Sequence, residues 1–86
     1  MAGEPVLAFP HVVRDPEIQG GEPTIRGTRI PVRVLVVAHQ FTPDLNYLVS
    51  AYPALTPELI NEALAFYAVH RAELDWLIAE NDPDRD

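Results

Sequence analysis

The sequence predicts an α+β, mainly α fold: an N-terminal β arm or hairpin, then a three-helix, helix-turn-helix-like bundle with a long third helix. Three observations carry it. Residues 1–30 hold short β-like runs and no helical period. Two Thr-Pro-acid triplets, Thr42-Pro43-Asp44 and Thr56-Pro57-Glu58, carry helix-start chemistry. Beyond Leu45 apolar residues return at three- and four-residue spacing.

In the arm, Val6-Leu7-Ala8-Phe9 and Val12-Val13 are β-like runs separated by Pro10, with Asp15-Pro16 beyond them. Gly20-Gly21 supplies a corner across which a hairpin can close, and Thr24-Ile25-Arg26 a further short strand. Gly27 marks a position where a positive φ costs little. Pro31 suits the first turn of a helix, where its missing N–H would be unpaired anyway. Val32, Leu35, Val36 and His39 follow at helical spacing, so the first helix is placed over Val32 to Phe41, although the valine run could form a strand. Thr42 is then read as the cap of a second helix, with Pro43 at its first position and Asp44 near the positive dipole end. Its apolar face is Leu45, Leu48, Val49 and Tyr52, and it must stop before Pro53. Thr56 caps the third helix, expected to run unbroken from about Pro57 to Ala79 on a stripe of Leu59, Ile60, Ala63, Leu64, Tyr67, Leu74, Leu77 and Ile78. That stripe exceeds what two short helices cover, which points to a second chain. The layout is one domain: arm 1–30, bundle 31–80, acidic tail 81–86.

Eighty-six residues allow one core. With no cysteine, neither a disulfide nor a thiolate zinc site can staple it, which leaves oligomerisation. A homodimer is expected. No apolar run approaches the roughly 20 residues that span a bilayer, and the N-terminus lacks a signal-peptide pattern, so the expected location is the cytoplasm, away from membranes. The net charge of −7 opposes a generic grip on nucleic acid. Yet Arg14, Arg26, Arg29 and Arg33 balance Glu4, Asp15, Glu17 and Glu22, so the whole deficit lies beyond Arg33. An anion-binding surface belongs near the arm.

The pattern holds no enzyme signature. It has no phosphate-binding glycine loop, no HExxH among His11, His39 and His70, and no nucleophile-elbow glycines around Ser50. Neither a metal site nor a cofactor is expected. Three arginines within eight residues, Arg26, Arg29 and Arg33, are suited to phosphates. One or more of them could instead pair with an internal carboxylate such as Asp15 or Glu22, Arg29 more readily than Arg33. In a helix-turn-helix the start of the third helix reads bases, and Asn61 could bond adenine there, but Glu58 and Glu62 flank it. Trp76, with Leu74, Leu77 and Ile78 at helical spacing, forms an aromatic-plus-aliphatic cluster of the kind that anchors interfaces. It is set among Glu73, Asp75, Glu80, Asp82, Asp84 and Asp86. The bland alternative is that Trp76 completes the protein's own core or dimer seam and that the acids only solubilise the tail.

The segment GEPTIRGTRIPV, Gly21 to Val32, together with Phe41-Thr42-Pro43-Asp44 and Tyr52-Pro53-Ala54-Leu55-Thr56, resembles the bacterial domain of unknown function 433 family over about Val12 to Ala68. The resemblance implies a β arm joined to a helix-turn-helix. It further implies an antitoxin of a type II toxin–antitoxin pair that binds a PIN-like nuclease toxin and, as a further expectation, its own operator DNA. The sequence departs from the family pattern at Gln40-Phe41, where a glycine is usual between the first two helices. It departs again in a longer C-terminal stretch with Trp76. The DNA-binding residues expected on this reading are Arg26, Arg29, Arg33 and Asn61; the partner-binding residues are Leu74, Trp76, Leu77 and Ile78. The rival is a homodimeric interaction module of the same fold that binds no DNA.

Overall fold

The computed structural model describes residues 4–6 and 8–82. Residues 1–3 and 7 of the expected arm, and 83–86 of the expected tail, lie outside the described residues. Three strands, β1 (Glu4–Val6), β2 (Phe9–Arg14) and β3 (Pro23–Ile25), precede four helices: α1 (Val32–Phe41), α2 (Leu45–Ala51), α3 (Pro57–Val69) and α4 (Arg71–Glu80). The fold is α+β and mainly helical, as the sequence predicts. Among the described residues no helix is long and apolar enough to cross a membrane.

The arm is an antiparallel sheet in the order β1-β2-β3. Its first turn cuts through the Val6-to-Phe9 run, for Val6 pairs with Phe9 while Ala8 takes a φ of 70°. No glycine or asparagine announces that corner. β2 and β3 pair Val12 with Ile25 and Val13 with Thr24, all four buried. The expected hairpin therefore forms, closed by a turn at Gln19–Gly21 in which Gly20 and Gly21 have φ of 65° and 92°. The buried Asp15 begins that turn, its carboxylate accepting the Glu17 N–H at 2.9 Å.

Capping chemistry sets the helix starts, with two corrections. Asp44, not Thr42, caps α2: its carboxylate accepts the N–H groups of Asn46 and Tyr47 at 3.0 and 3.4 Å, which leaves Pro43 before the helix. Pro31 precedes α1 in extended geometry and bridges to Thr24. Thr56 caps α3 as expected, accepting from Leu59 N at 3.2 Å, with Pro57 in the first turn. Tyr52 ends α2 directly before Pro53.

The expected long third helix is two helices. The backbone breaks at His70, with φ −111° and ψ 43°, at a site with neither glycine nor proline. The break turns Leu74 back into the core beside Ile25, Leu35, Leu48, Ile60 and Phe66, all fully buried. Phe66, left out of the expected stripe, is the largest of them. Because α1 and α3 pack together and α3 also rests on β2, this chain covers much of the stripe that pointed to a partner. Apolar burial of this kind contributes about 1.5–3 kcal/mol per large side chain.

Candidate functional site

The charged side chains divide into those that hold the arm to the bundle and those that face outward. On β2 the His11 backbone N–H donates to Glu62 Oε2 at 2.7 Å, and its ring Nδ1 lies 2.8 Å from Oε1 of the same carboxylate. Arg14 forks onto Glu73 of α4 through both terminal nitrogens, the second at 2.9 Å from Oε1. Arg14 also lies over the Phe66 ring, 5.7 Å from its centroid. Phe66 stacks on His70 at 4.3 Å and meets Phe9 edge-on at 5.3 Å. The arm, α3 and α4 thus meet in one cluster of two aromatic rings, an imidazole and an ion pair. The hydrogen bond from Arg14 holds the Glu73 carboxyl below the usual range, against partial burial, with Arg14 and His70 charge adding to the effect. The same bond raises Arg14.

The expected arginine trio separates. Arg33 donates from Nε to both oxygens of Glu22, at 2.8 and 3.1 Å. It is bound internally, and the alternative held open for these arginines applies to Arg33 rather than Arg29. Arg26 and Arg29 are exposed at the Gly27 turn and form no ion pair among the described residues. Gly27 has a φ of 81° with open space where a Cβ would stand, so backbone conformation, not crowding, favours glycine. The Thr28 hydroxyl donates to Ile25 O at 2.8 Å and accepts the Ile30 N–H at 3.0 Å. A positively charged turn is thereby fixed in shape.

Asn61 is exposed on α3, beside Glu62, which His11 holds. His11 O also accepts the Arg26 N–H at 2.8 Å, so this one residue joins the arginine turn to α3. The outward residues of α3 are Pro57, Glu58, Asn61, Ala65, Ala68 and Val69, without a base.

The expected partner-binding set divides too. Leu74 is fully buried in the chain's own core and offers no surface. Leu74 and Trp76 are two residues apart on one helix and so point to nearly opposite sides of it, which keeps Leu74 out of any patch that contains Trp76. Leu77 and Ile78 are half-buried against the core, whereas Trp76 is 61% exposed. The alternative that Trp76 completes this chain's core is therefore excluded. Asp75 and Glu80 are exposed on the same helix. Asp75 accepts the Tyr67 hydroxyl at 2.7 Å, and that bond raises the phenol's pKa. Arg71 lies over the Tyr67 ring at 5.3 Å.

Sequence reasoning missed one surface. Phe41, at the end of α1, is 84% exposed. Beside it Val34, Val37 and Ala38 line an open groove of about 650 Å³ whose other walls include Tyr52 and Ile78. The signal was present in the valine run of α1, which is apolar on more sides than one core can use.

A short β arm folded back on a helical bundle defines a class of small α+β domains. Within it the chain belongs to the family described as Protein of unknown function (DUF433), whose model matches residues 12–67. The match opens within β2 and closes near the end of α3, so all of α4, with Trp76, lies beyond it. The chain is also similar to a crystal structure of a DUF433 member protein from Anabaena variabilis ATCC 29413. The TM-score is 0.75 at 35% identity, over 80% of this chain and 68% of that one. No curated protein matches.

Proposed function

We propose that the chain is a non-enzymatic, cytoplasmic binding protein of the antitoxin kind, and that α4 covers a PIN-like nuclease. The observation carrying this reading is Trp76, a large aromatic facing solvent on a helix whose opposite side is locked into the core. Tryptophan is the residue type over-represented at interface anchors. The acids Asp75 and Glu80 share that helix, and a nuclease that binds RNA phosphate presents a complementary positive groove. A non-catalytic role is supported by the use of His11, Arg14, Arg33, Glu22, Glu62 and Glu73 in contacts between elements of the fold. The test is co-purification with the PIN-like nuclease of an adjacent gene. Wild type retains it, Trp76→Ala loses it with an unchanged circular dichroism spectrum, and undiminished retention by the variant refutes the assignment.

Operator DNA, on this reading, is met by Arg26 and Arg29, two exposed arginines at one turn that form no ion pair among the described residues. A double Arg26→Ala, Arg29→Ala variant then binds promoter DNA more weakly, with a salt slope shallower by about one released counterion per lost contact. The acidic, base-free outer face of α3 favours the second reading, an interaction module that leaves DNA alone. Failure of both the free protein and its nuclease complex to retard promoter DNA at low salt selects that reading.

A further inference from the structure

Resting on the DNA-binding reading above, we infer that Arg26 and Arg29 enter the minor groove of A·T-rich duplex DNA, while α3 stays out of the major groove. β3 and the residues before α1 form a small antiparallel ladder, in which Thr24 bridges to Pro31 and the Ile25 N–H donates to Ile30 O at 3.0 Å. The same register sets Arg26 opposite Arg29, at the two ends of the loop Arg26-Gly27-Thr28-Arg29. Like charges placed across a ladder repel each other. The remaining arginines among the described residues are engaged, Arg14 by Glu73, Arg33 by Glu22 and Arg71 over the Tyr67 ring. Arg26 and Arg29 are exposed and form no ion pair there. An anion bound between them relieves their repulsion.

The shape of this tip selects the groove. Gly27 adds no side chain, and the Thr28 hydroxyl is tied back to Ile25 O and the Ile30 N–H, so the tip is slim and fixed. The minor groove, about 6 Å wide, excludes a helix but admits arginine side chains. In A·T tracts it narrows and its negative potential strengthens, which draws arginine in. That field counts for a chain at −7, since two phosphate contacts alone release about two counterions and hold weakly. A two-stranded ribbon can also enter the major groove, but Thr24, Ile25 and Pro31 are buried, which leaves the tip alone free. α3 presents Glu58 and no base outward, and His11 occupies both oxygens of Glu62, the acid that links α3 to this turn.

Fluorescence anisotropy at low salt tests the inference, with the full chain and short labelled duplexes whose central block is A·T, G·C or inosine·cytosine. Inosine lacks guanine's minor-groove amino group and keeps guanine's major-groove edge, so it separates the two grooves. The A·T duplex is expected to bind about tenfold tighter than the G·C duplex, and the inosine duplex to side with A·T. A double Arg26→Lys, Arg29→Lys variant keeps the charge but swaps guanidinium for a strongly hydrated ammonium. It is expected to retain the G·C affinity and lose the A·T preference, with a wild-type circular dichroism spectrum, whereas Asn61→Ala changes neither. Equal binding to all three duplexes, an inosine duplex that follows G·C, or a lysine variant that keeps the preference overturns the minor-groove assignment and leaves DNA binding standing. Failure to bind any duplex overturns both.

Discussion

Leu74 and Trp76 stand two residues apart on α4, both large and apolar, and the fold uses them in opposite ways. The inner side of the helix carries Leu74, fully buried, and Glu73, which takes the Arg14 fork from β2. The outer side carries Trp76 and Asp75 in solvent. Leu74 and Glu73, with Leu77 and Ile78 packed half-buried against the core, hold a helix whose ten residues are too few for independent stability. One side therefore does the folding, and the other remains open for recognition.

The sharpest way to break this comparison is Leu74→Ala. Loss of a fully buried leucine is expected to cost about 2–5 kcal/mol, read as a lower urea midpoint. Leu74→Asp, which buries an unpaired charge, is expected to unfold the chain rather than merely dissociate an assembly. A folded Leu74→Asp protein would show that α4 packs otherwise.

Glu73→Gln probes the same side with a smaller effect. Both partners of the Arg14 pair are more than a third exposed, so after solvent screening the expected loss at neutral pH is about 1 kcal/mol or less. Its pH dependence has a definite sign. Because Arg14 lowers the Glu73 pKa, the carboxylate's contribution is fully present above the ordinary value of 4.5 and fades as pH falls through the folded value below it. The stability gap between wild type and Glu73→Gln should close in acid, and a gap that widens there would contradict the pairing.

On the outer side, Trp76→Ala should change stability by no more than about 0.5 kcal/mol, as for other surface positions, measured by thermal melting. The smallest effect concerns Tyr67, whose hydroxyl donates to Asp75. Asp75→Asn should bring phenolate formation down to lower pH in an ultraviolet titration, with no measurable loss of stability; an unmoved titration would place Asp75 elsewhere.

What the sequence made legible follows from chemistry local to the chain. The Thr56-Pro57 cap, the stop before Pro53, the Gly20-Gly21 corner and the positive φ at Gly27 each rest on one or two residues whose geometry is nearly obligatory. The break at His70 was not legible, since no breaker residue stands there. Packing imposes it, with the imidazole stacked on Phe66 and Leu74 drawn into the core. The opposite facing of Leu74 and Trp76 was legible, since residues two apart on a helix do not share a face. Among the arginines, the sequence placed Arg26, Arg29 and Arg33 close together but not which would meet Glu22, because that choice depends on how the arm folds onto α1. Phe41 was noticed as a departure from the family pattern, while the groove beside it arises only when α4 packs against α1.

The claim that the outer side of α4 is a recognition surface is tested most directly by the fluorescence of Trp76, the chain's single tryptophan. In the free protein it should emit as a solvent-exposed indole and be readily quenched by iodide. Addition of the PIN-like nuclease, studied through a tryptophan-free variant, should shift the emission to the blue and protect it from quenching. A complex that forms while Trp76 remains as red-shifted and as quenchable as before would contradict the account.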